Sequence, residues 1–373
     1  MLINYIDSLL SQGLLNEYSN DHFMIKALKN DFDYFSKYSH FVDEYQAGLT
    51  FGKNFELFGQ NFIINLSNKL TIFERLFGEE VAKEFITNQM AAGKENYDEA
   101  QFIRALSEVH VLNYLASYTS KIKNLSYEPK LIEGKSTNPE AVLCLEDGTE
   151  IAVEVKTPGF KNQKNLNKSD ELYIRPNVIL KKTSLDKFKT LVESQNVNFV
   201  YPNILKLRDF IISAASKFPP VTENRMNLLF INWTYNDFKT SGLNEPISLL
   251  LNSYSGLLHS KLARTEVKIP IDYLNRISAI IFYKDNFHSF IASDFRYHFA
   301  YNSIFAIPVN TNDEQMRKFK ILTNIRNLLD SVFTIFHIDR SNTLKSDLVR
   351  DTLLYSVLLN SLKCDFKNGI TTA

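Results

Sequence analysis

Two glutamates and a lysine lie at spacings that would bring their side chains together on a β-hairpin. Residues 138–158 contain Glu140 at the start of one apolar run and Glu154 and Lys156 within the next, separated by a turn that includes Gly148. Paired carboxylates supply oxygen ligands for a hard cation such as Mg²⁺, and a lysine ammonium supplies a compact positive charge. These groups suit phosphodiester hydrolysis, in which a metal ion activates water and a cation faces the developing charge.

The turn at Asp147-Gly148 allows two hairpin registers. A two-residue loop places Glu140 opposite Val155, whereas a three-residue loop with a left-handed Gly148 places Glu140 opposite Glu154. A slip of one residue moves every side chain to the other face, so the apolar pattern separates the two registers. We predict the three-residue register, because it alone collects an entirely apolar face, formed by Ala141, Leu143, Leu145, Ile151, Val153 and Val155.

The predicted register requires a positive charge beside the two acids. Like charges directly across a hairpin are destabilising by up to about 1 kcal/mol. Lys156 points to the same face as Glu140 and Glu154, and a divalent cation would complete the balance. A Glu-x-Lys sequence on a strand is most often a solvated surface, however, and under that interpretation the chain is a helical protein-interaction protein.

The spacing of apolar residues predicts the elements around the hairpin. Helical periodicity runs from about Asp98 to Thr119 and from about Pro202 to Phe218. The run at 228–233 would be buried on both faces. We predict a helical N-terminal region (1–97), an α/β core (98–310) and a helical C-terminal region (311–373). The predicted strands are Tyr127–Ile132, Ala141–Leu145, Glu150–Thr157, Leu228–Trp233, Ala279–Tyr283 and Ile304–Ile307.

The order of these elements, with Pro139-Glu140 and Glu154-Val155-Lys156, resembles the PD-(D/E)xK motif of the restriction-endonuclease-like nuclease superfamily. The resemblance covers about residues 98–235, and Glu140 stands where aspartate is commoner. It implies an α/β fold with an αβββαβ core and a mixed sheet. The N- and C-terminal helical regions would flank this nuclease-like core.

The resemblance also implies a role for each motif residue. Glu140 and Glu154 would bind Mg²⁺, with Mn²⁺ as a substitute, and the Val155 carbonyl would assist them. Lys156 would position or activate the attacking water. A glutamate on the first helix often completes the metal site in this superfamily, and Glu108 has that position, although a helix acid of this kind is as readily a solvated residue.

Basic residues after the hairpin form a candidate nucleic-acid contact. Lys161, Lys164 and Lys168 lie in the stretch that follows the motif, and Lys206 lies on the next predicted helix. They are interpreted as contacts for phosphates or, with equal weight, as a solvated loop. The chain has 42 basic and 42 acidic residues, but acids predominate before about residue 125 and bases after it.

Composition excludes several other classes of protein. The 12 glycines include no two closer than Gly48 and Gly52, so neither G-x-G-x-x-G nor a P-loop can be built. Cys144 and Cys364 cannot form a disulfide framework or a four-thiolate zinc site. No apolar run approaches the roughly 18 residues of a membrane span, and the N-terminus lacks the basic start of a signal peptide. No membrane partner and a cytoplasmic location are therefore expected.

The resulting expectation is a Mg²⁺-dependent endonuclease, with DNA favoured over RNA as the nucleic-acid partner. A homodimer is a further expectation, because cutting both strands of a duplex commonly takes two such sites. Restriction or host defence is the expected setting, by analogy of fold. The main alternative is a catalytically silent nucleic-acid-binding module with the same fold.

Overall fold

A computed structural model describes a mixed sheet with helices, together with part of the helical region before it. The described residues are 66, 68–90, 99–119, 121–133, 137–158, 173–174, 176, 179–233, 244–252, 255–283 and 305–310. Most of the predicted N-terminal region, all of the predicted C-terminal region, and the candidate contacts Lys161, Lys164 and Lys168 lie outside the described residues.

Three helical segments precede the sheet in the part of the chain that the structure describes. Helix α1 covers residues 68–77, and helix α2 (Glu79–Glu84) continues into a π-helical turn at Phe85–Gln89. Helix α3 spans Glu99–Tyr118, which confirms the helix predicted from about residue 98 to 119. The predicted apolar positions Leu106, Val109, Leu112 and Leu115 are buried. Residues 105–113 are all buried, however, so this helix is covered on more than the one stripe that its three- and four-residue spacing predicts.

Six strands of the described residues form the main sheet. Their order across the sheet is β1 (Ile122–Tyr127), β2 (Ala141–Leu145), β3 (Glu150–Lys156), β6 (Arg225–Asn232), β7 (Ala279–Tyr283) and β8 (Phe305–Pro308). Strands β1, β2 and β3 are antiparallel, β3, β6 and β7 are parallel, and β8 is antiparallel to β7. The predicted mixed α/β architecture is confirmed at this level. A separate two-stranded ribbon pairs β4 (Tyr173–Ile174) with β5 (Asn198–Phe199).

The position of the first strand differs from the prediction. A strand was expected at 127–132, but β1 ends at Tyr127. Glu128 has a positive φ of 41°, and its backbone N–H donates to the Glu140 carbonyl at 2.9 Å. Pro129 then follows and has no N–H for a ladder. The chain leaves the sheet here, and the preceding six residues pair with β2 instead.

The β2–β3 hairpin adopts the predicted three-residue register. Ala141 lies opposite Val153, so that Glu140 and Glu154 are the next pair beyond the last ladder residues. The Gly148 N–H donates to the Leu145 carbonyl at 3.1 Å, and Gly148 has a φ of 82°. That backbone conformation is open to glycine at little cost. The turn therefore fixes the register that pairs the two acids.

Helices cover both faces of the sheet. Helix α3 lies on one face, where the Asn232 side-chain amide donates to the Ser107 hydroxyl at 2.7 Å. The other face packs against helix α5 (Ile204–Lys217) and three shorter helices, in a cluster that includes Leu229 and Ile231. Residues 226–232 are all buried, as predicted for a strand with two apolar faces. The shorter helices are α6 (Asn244–Leu251), α7 (Lys261–Val267) and α8 (Ile271–Asn275).

Four of the described helices were not predicted, namely α4 (Lys182–Glu193) and the three shorter helices α6, α7 and α8. Helix α4 overlaps the lysine-rich stretch, and Val192 is its buried residue. Its apolar residues Leu185, Phe188 and Val192 recur at three- and four-residue steps, a helical pattern that the interpretation of this stretch from its lysines overlooked. Among the described residues, no helix is both long enough and apolar enough to cross a membrane.

Candidate functional site

The two predicted acids come together at one end of the β2–β3 hairpin. Glu140 directly precedes β2, and Glu154 lies near the end of β3. Both side chains reach the α5 side of the sheet, where the Glu154 side chain is fully buried and the Glu140 side chain is 13% exposed. The register argued from the apolar pattern therefore places two carboxylates beside each other in a nearly enclosed position.

Lys156 joins the acids as predicted. Its Nζ lies 2.5 Å from Oε1 of Glu154, and its side chain is 20% exposed. The two residues are separated by Val155, so the strand alternation puts both side chains on one face. The β2 ladder stops at Ala141, so the segment from Glu154 to Lys156 extends past the end of β2. The Glu154 side chain is fully buried and Lys156 is only partly exposed, so this face is not the solvated surface of the alternative interpretation.

A second lysine completes the cluster, and sequence reasoning missed it. Lys217 is the last residue of α5, and its Nζ lies 2.7 Å from Oε1 of Glu154 and 3.7 Å from Oε1 of Glu140. It follows Ala214 by three residues and precedes Phe218, both fully buried. The sequence feature that could have indicated Lys217 is its position beside the apolar stripe, at the end of the predicted helix. Its contact with Glu154 spans 63 residues, and no local pattern predicts such a distance.

Burial and a neighbouring like charge both act on the Glu140 carboxylate. Burial, and then the neighbouring Glu154 carboxylate, raise the pKa of Glu140 to about 7, against the opposing effect of Lys217 and Lys156. Burial would lower the pKa of the Lys217 ammonium, but the Glu140 and Glu154 carboxylates raise it above its ordinary value. The two acids therefore favour the protonated, positively charged form of Lys217.

Glu108 lies close to this cluster but on the α3 side of the sheet. It is 9% exposed, which contradicts the solvated alternative. The Tyr127 hydroxyl donates to its Oε1 at 2.8 Å. Burial, followed by the charge of Glu140, raises the pKa of Glu108 well above its ordinary value. Among the described residues, no three His, Cys, Asp or Glu side chains are grouped closely enough to hold a metal ion, so Glu108 does not complete a three-acid group here.

The donor set nevertheless suits a hard cation. Oε2 of Glu154 is buried and has no hydrogen-bond partner among the described residues. The Glu140 carboxylate is its neighbour across the hairpin, and the Val155 carbonyl belongs to the strand segment between Glu154 and Lys156. Hard divalent cations take oxygen ligands of these kinds, commonly one or two carboxylates. The residues present therefore fit a Mg²⁺ or Mn²⁺ ion with two carboxylate ligands.

Lys206, the only described member of the predicted nucleic-acid contact, lies apart from the acids. It is in the first turn of α5, with its Nζ 5.5 Å from the centroid of the Phe210 ring. Eleven residues of helix separate it from Lys217, or about 16 Å along the helix axis. Lys206 therefore does not belong to the acid cluster.

Comparison with protein-family models, with curated proteins and with solved structures finds no match to this chain.

Proposed function

We propose that the chain is a Mg²⁺-dependent endonuclease of the PD-(D/E)xK, restriction-endonuclease-like superfamily. The observation that carries the proposal is the hairpin register, which sets Glu140 against Glu154 with Lys156 on the same face. The order of helix α3, three antiparallel strands, helix α5 and the parallel strand β6 supports it. This element order agrees with the αβββαβ order that the sequence resemblance implies, with the β4–β5 ribbon and α4 inserted before α5.

Each residue of the cluster has a role in the proposed reaction. Glu140, Glu154 and the Val155 carbonyl would hold the metal ion. A bound Mg²⁺ would supply Lewis-acid polarisation of the phosphoryl group and a lowered pKa for water. Lys156 orients the attacking water through its ammonium group, which Glu154 anchors at 2.5 Å. The burial of the Glu154 side chain and most of the Glu140 side chain strengthens each electrostatic contact.

The substrate of the proposed enzyme is nucleic acid, with DNA favoured. Lys161, Lys164, Lys168 and Lys206 are the proposed phosphate contacts, which position a backbone without reading its sequence. A homodimer would provide two sites for the two strands of a duplex. A cytoplasmic role in restriction or host defence is the setting we propose, and it rests on the analogy of fold.

Cleavage of plasmid and single-stranded DNA with Mg²⁺ or Mn²⁺ tests the proposal. We expect Glu154→Gln and Lys156→Met each to lose at least about 100-fold in rate, as expected for removal of a group that stabilises developing charge. Glu150→Gln is the matched control, because Glu150 shares the strand and face but pairs with Arg225. Cleavage that persists undiminished in both Glu154→Gln and Lys156→Met would refute the assignment of the site.

A catalytically silent nucleic-acid-binding module is the second candidate. The observation that favours it is the balance of charge, because the two carboxylates already contact two ammonium groups, those of Lys156 and Lys217. Such a protein would bind nucleic acid with the usual dependence on salt and cleave it under no metal. Binding without cleavage in the same assay would establish this alternative.

A further inference from the structure

We propose that Lys217 occupies the cation position of the site in the metal-free protein, and that a divalent ion binds by displacing its ammonium group. The inference rests on the proposed metal site and adds a residue that the motif does not contain. It makes Lys217 a positioning residue, which acts on the carboxylates and sets the affinity of the site for metal.

The contacts of Lys217 carry this inference. Its ammonium lies 2.7 Å from one carboxylate and 3.7 Å from the other, so a single cation bridges Glu154 and Glu140. A metal ion held by the same two carboxylates would stand between them as well. The Lys217 side chain is 16% exposed and the Glu154 side chain fully buried, so the enclosed position leaves little room for both cations. A dication and an ammonium at such short range would also repel each other strongly.

Lys217 is better placed to move than Lys156. Lys156 is held on β3, the strand that also carries Glu154, and Glu154 is its described carboxylate partner. Lys217 reaches the acids from the end of a helix through a flexible four-carbon side chain. Its neighbour Phe218 is fully buried and anchors the backbone. Rotation of the Lys217 side chain would vacate the site with the helix and sheet unmoved.

Binding of Mn²⁺, followed by electron paramagnetic resonance, provides the first test. We expect Lys217→Met to bind Mn²⁺ at least about 10-fold more tightly than wild type, a modest share of the Coulomb repulsion between a dication and a unit charge about 4 Å apart. Lys156→Met should tighten binding less, because Lys156 contacts one carboxylate. Lys261→Met, at an exposed lysine of α7, is the control and should leave the affinity unchanged.

Two results of this experiment would overturn the inference in different ways. Unchanged or weaker Mn²⁺ binding by Lys217→Met, while wild type binds, would overturn the displacement of Lys217 and leave the proposed function standing. Absence of Mn²⁺ binding by wild type and by Lys217→Met would overturn both the inference and the proposed metal site.

A second measurement uses only the wild-type protein, so its outcome does not depend on whether a variant folds. An amine-reactive label should modify Lys217 slowly in EDTA, because the ammonium is enclosed by the two carboxylates, and at least about 10-fold faster in saturating Mg²⁺. Mass spectrometry of the Lys217 peptide gives the rate, and the Lys261 peptide gives the control. A rate for Lys217 that Mg²⁺ leaves unchanged or lowers would overturn the inference.

Discussion

Replacing Glu140 by glutamine should stabilise the metal-free protein, and more so at high pH. Burial and the charge of Glu154 raise the pKa of Glu140 from an ordinary value of 4.5 to about 7. The folded protein therefore keeps a proton on Glu140 at pH values where the unfolded chain has released it. Glutamine has the same shape and no charge, so Glu140→Gln removes the cost of ionising this buried carboxylate.

The magnitude follows from the difference between the two pKa values. Below about pH 4.5 Glu140 is protonated in both the folded and the unfolded state, so its burial as a charge does not lower the free energy of unfolding. As the pH rises towards 7 the unfolded chain alone ionises, and the free energy of unfolding falls by about 1.4 kcal/mol for each pH unit. Above pH 7 the full loss of about 3 kcal/mol is reached. The gain from Glu140→Gln should therefore be below about 1 kcal/mol at pH 5 and about 3 kcal/mol at pH 8.

Urea unfolding in EDTA at pH 5 and pH 8 measures this gain. The control is Glu146→Gln, because Glu146 is an exposed acid in the turn of the same hairpin and should show no comparable dependence on pH. Addition of Mn²⁺ at pH 8 should stabilise wild type more than Glu140→Gln, because the variant lacks one proposed ligand. An equal gain for Glu140→Gln at both pH values, or a loss at pH 8, would refute the electrostatic reasoning.

Two further substitutions test how the fold positions the cluster. Gly148→Ala should lower the free energy of unfolding, measured in urea, by about 1–2 kcal/mol. A Cβ at this position meets no atom within 4 Å, so the cost comes from the φ of 82° alone. An unchanged free energy of unfolding would mean that the turn tolerates another conformation. Leu207→Ala, at a fully buried position of α5, should cost about 2–5 kcal/mol by thermal or urea unfolding. The exposed Leu205 on the same helix is its control, and an equal effect of Leu205→Ala would contradict the packing of α5 against the sheet.

The hairpin could be predicted from sequence because its determinants are local. The turn at Gly148 and the alternation of apolar residues lie within 20 residues, and one register satisfies both. The same alternation placed Lys156 beside Glu154. Strand β6 was predictable for a related reason, since its apolar run matches its burial on both faces. The bounds of helix α3 were predictable from its apolar spacing, but the burial of polar residues such as Glu108 and Asn113 on it was not.

The errors arose where backbone geometry or distant contacts decide the outcome. Apolar content placed a strand at 127–132, but the positive φ of Glu128 and the ring of Pro129 end β1 at Tyr127. Helix α4 was missed for another reason, because its segment was interpreted from its lysines although Leu185, Phe188 and Val192 have helical spacing. Lys217 enters the cluster through the packing of α5 on the sheet, a tertiary contact that no spacing in the sequence encodes.

Lys217 also changes the meaning of the charge argument made from the sequence. Two facing carboxylates required a positive partner, and Mg²⁺ was the inferred one. In the structure the ammonium group of Lys217 contacts both acids. Two facing carboxylates therefore predict that a positive charge lies beside them, but they do not predict whether that charge is a metal ion or a lysine. A lysine bridging the acids offsets one negative charge, whereas a dication would offset two at once. In the proposed enzyme, the cost of burying Glu140 beside Glu154 is therefore what drives the exchange of Lys217 for a metal ion.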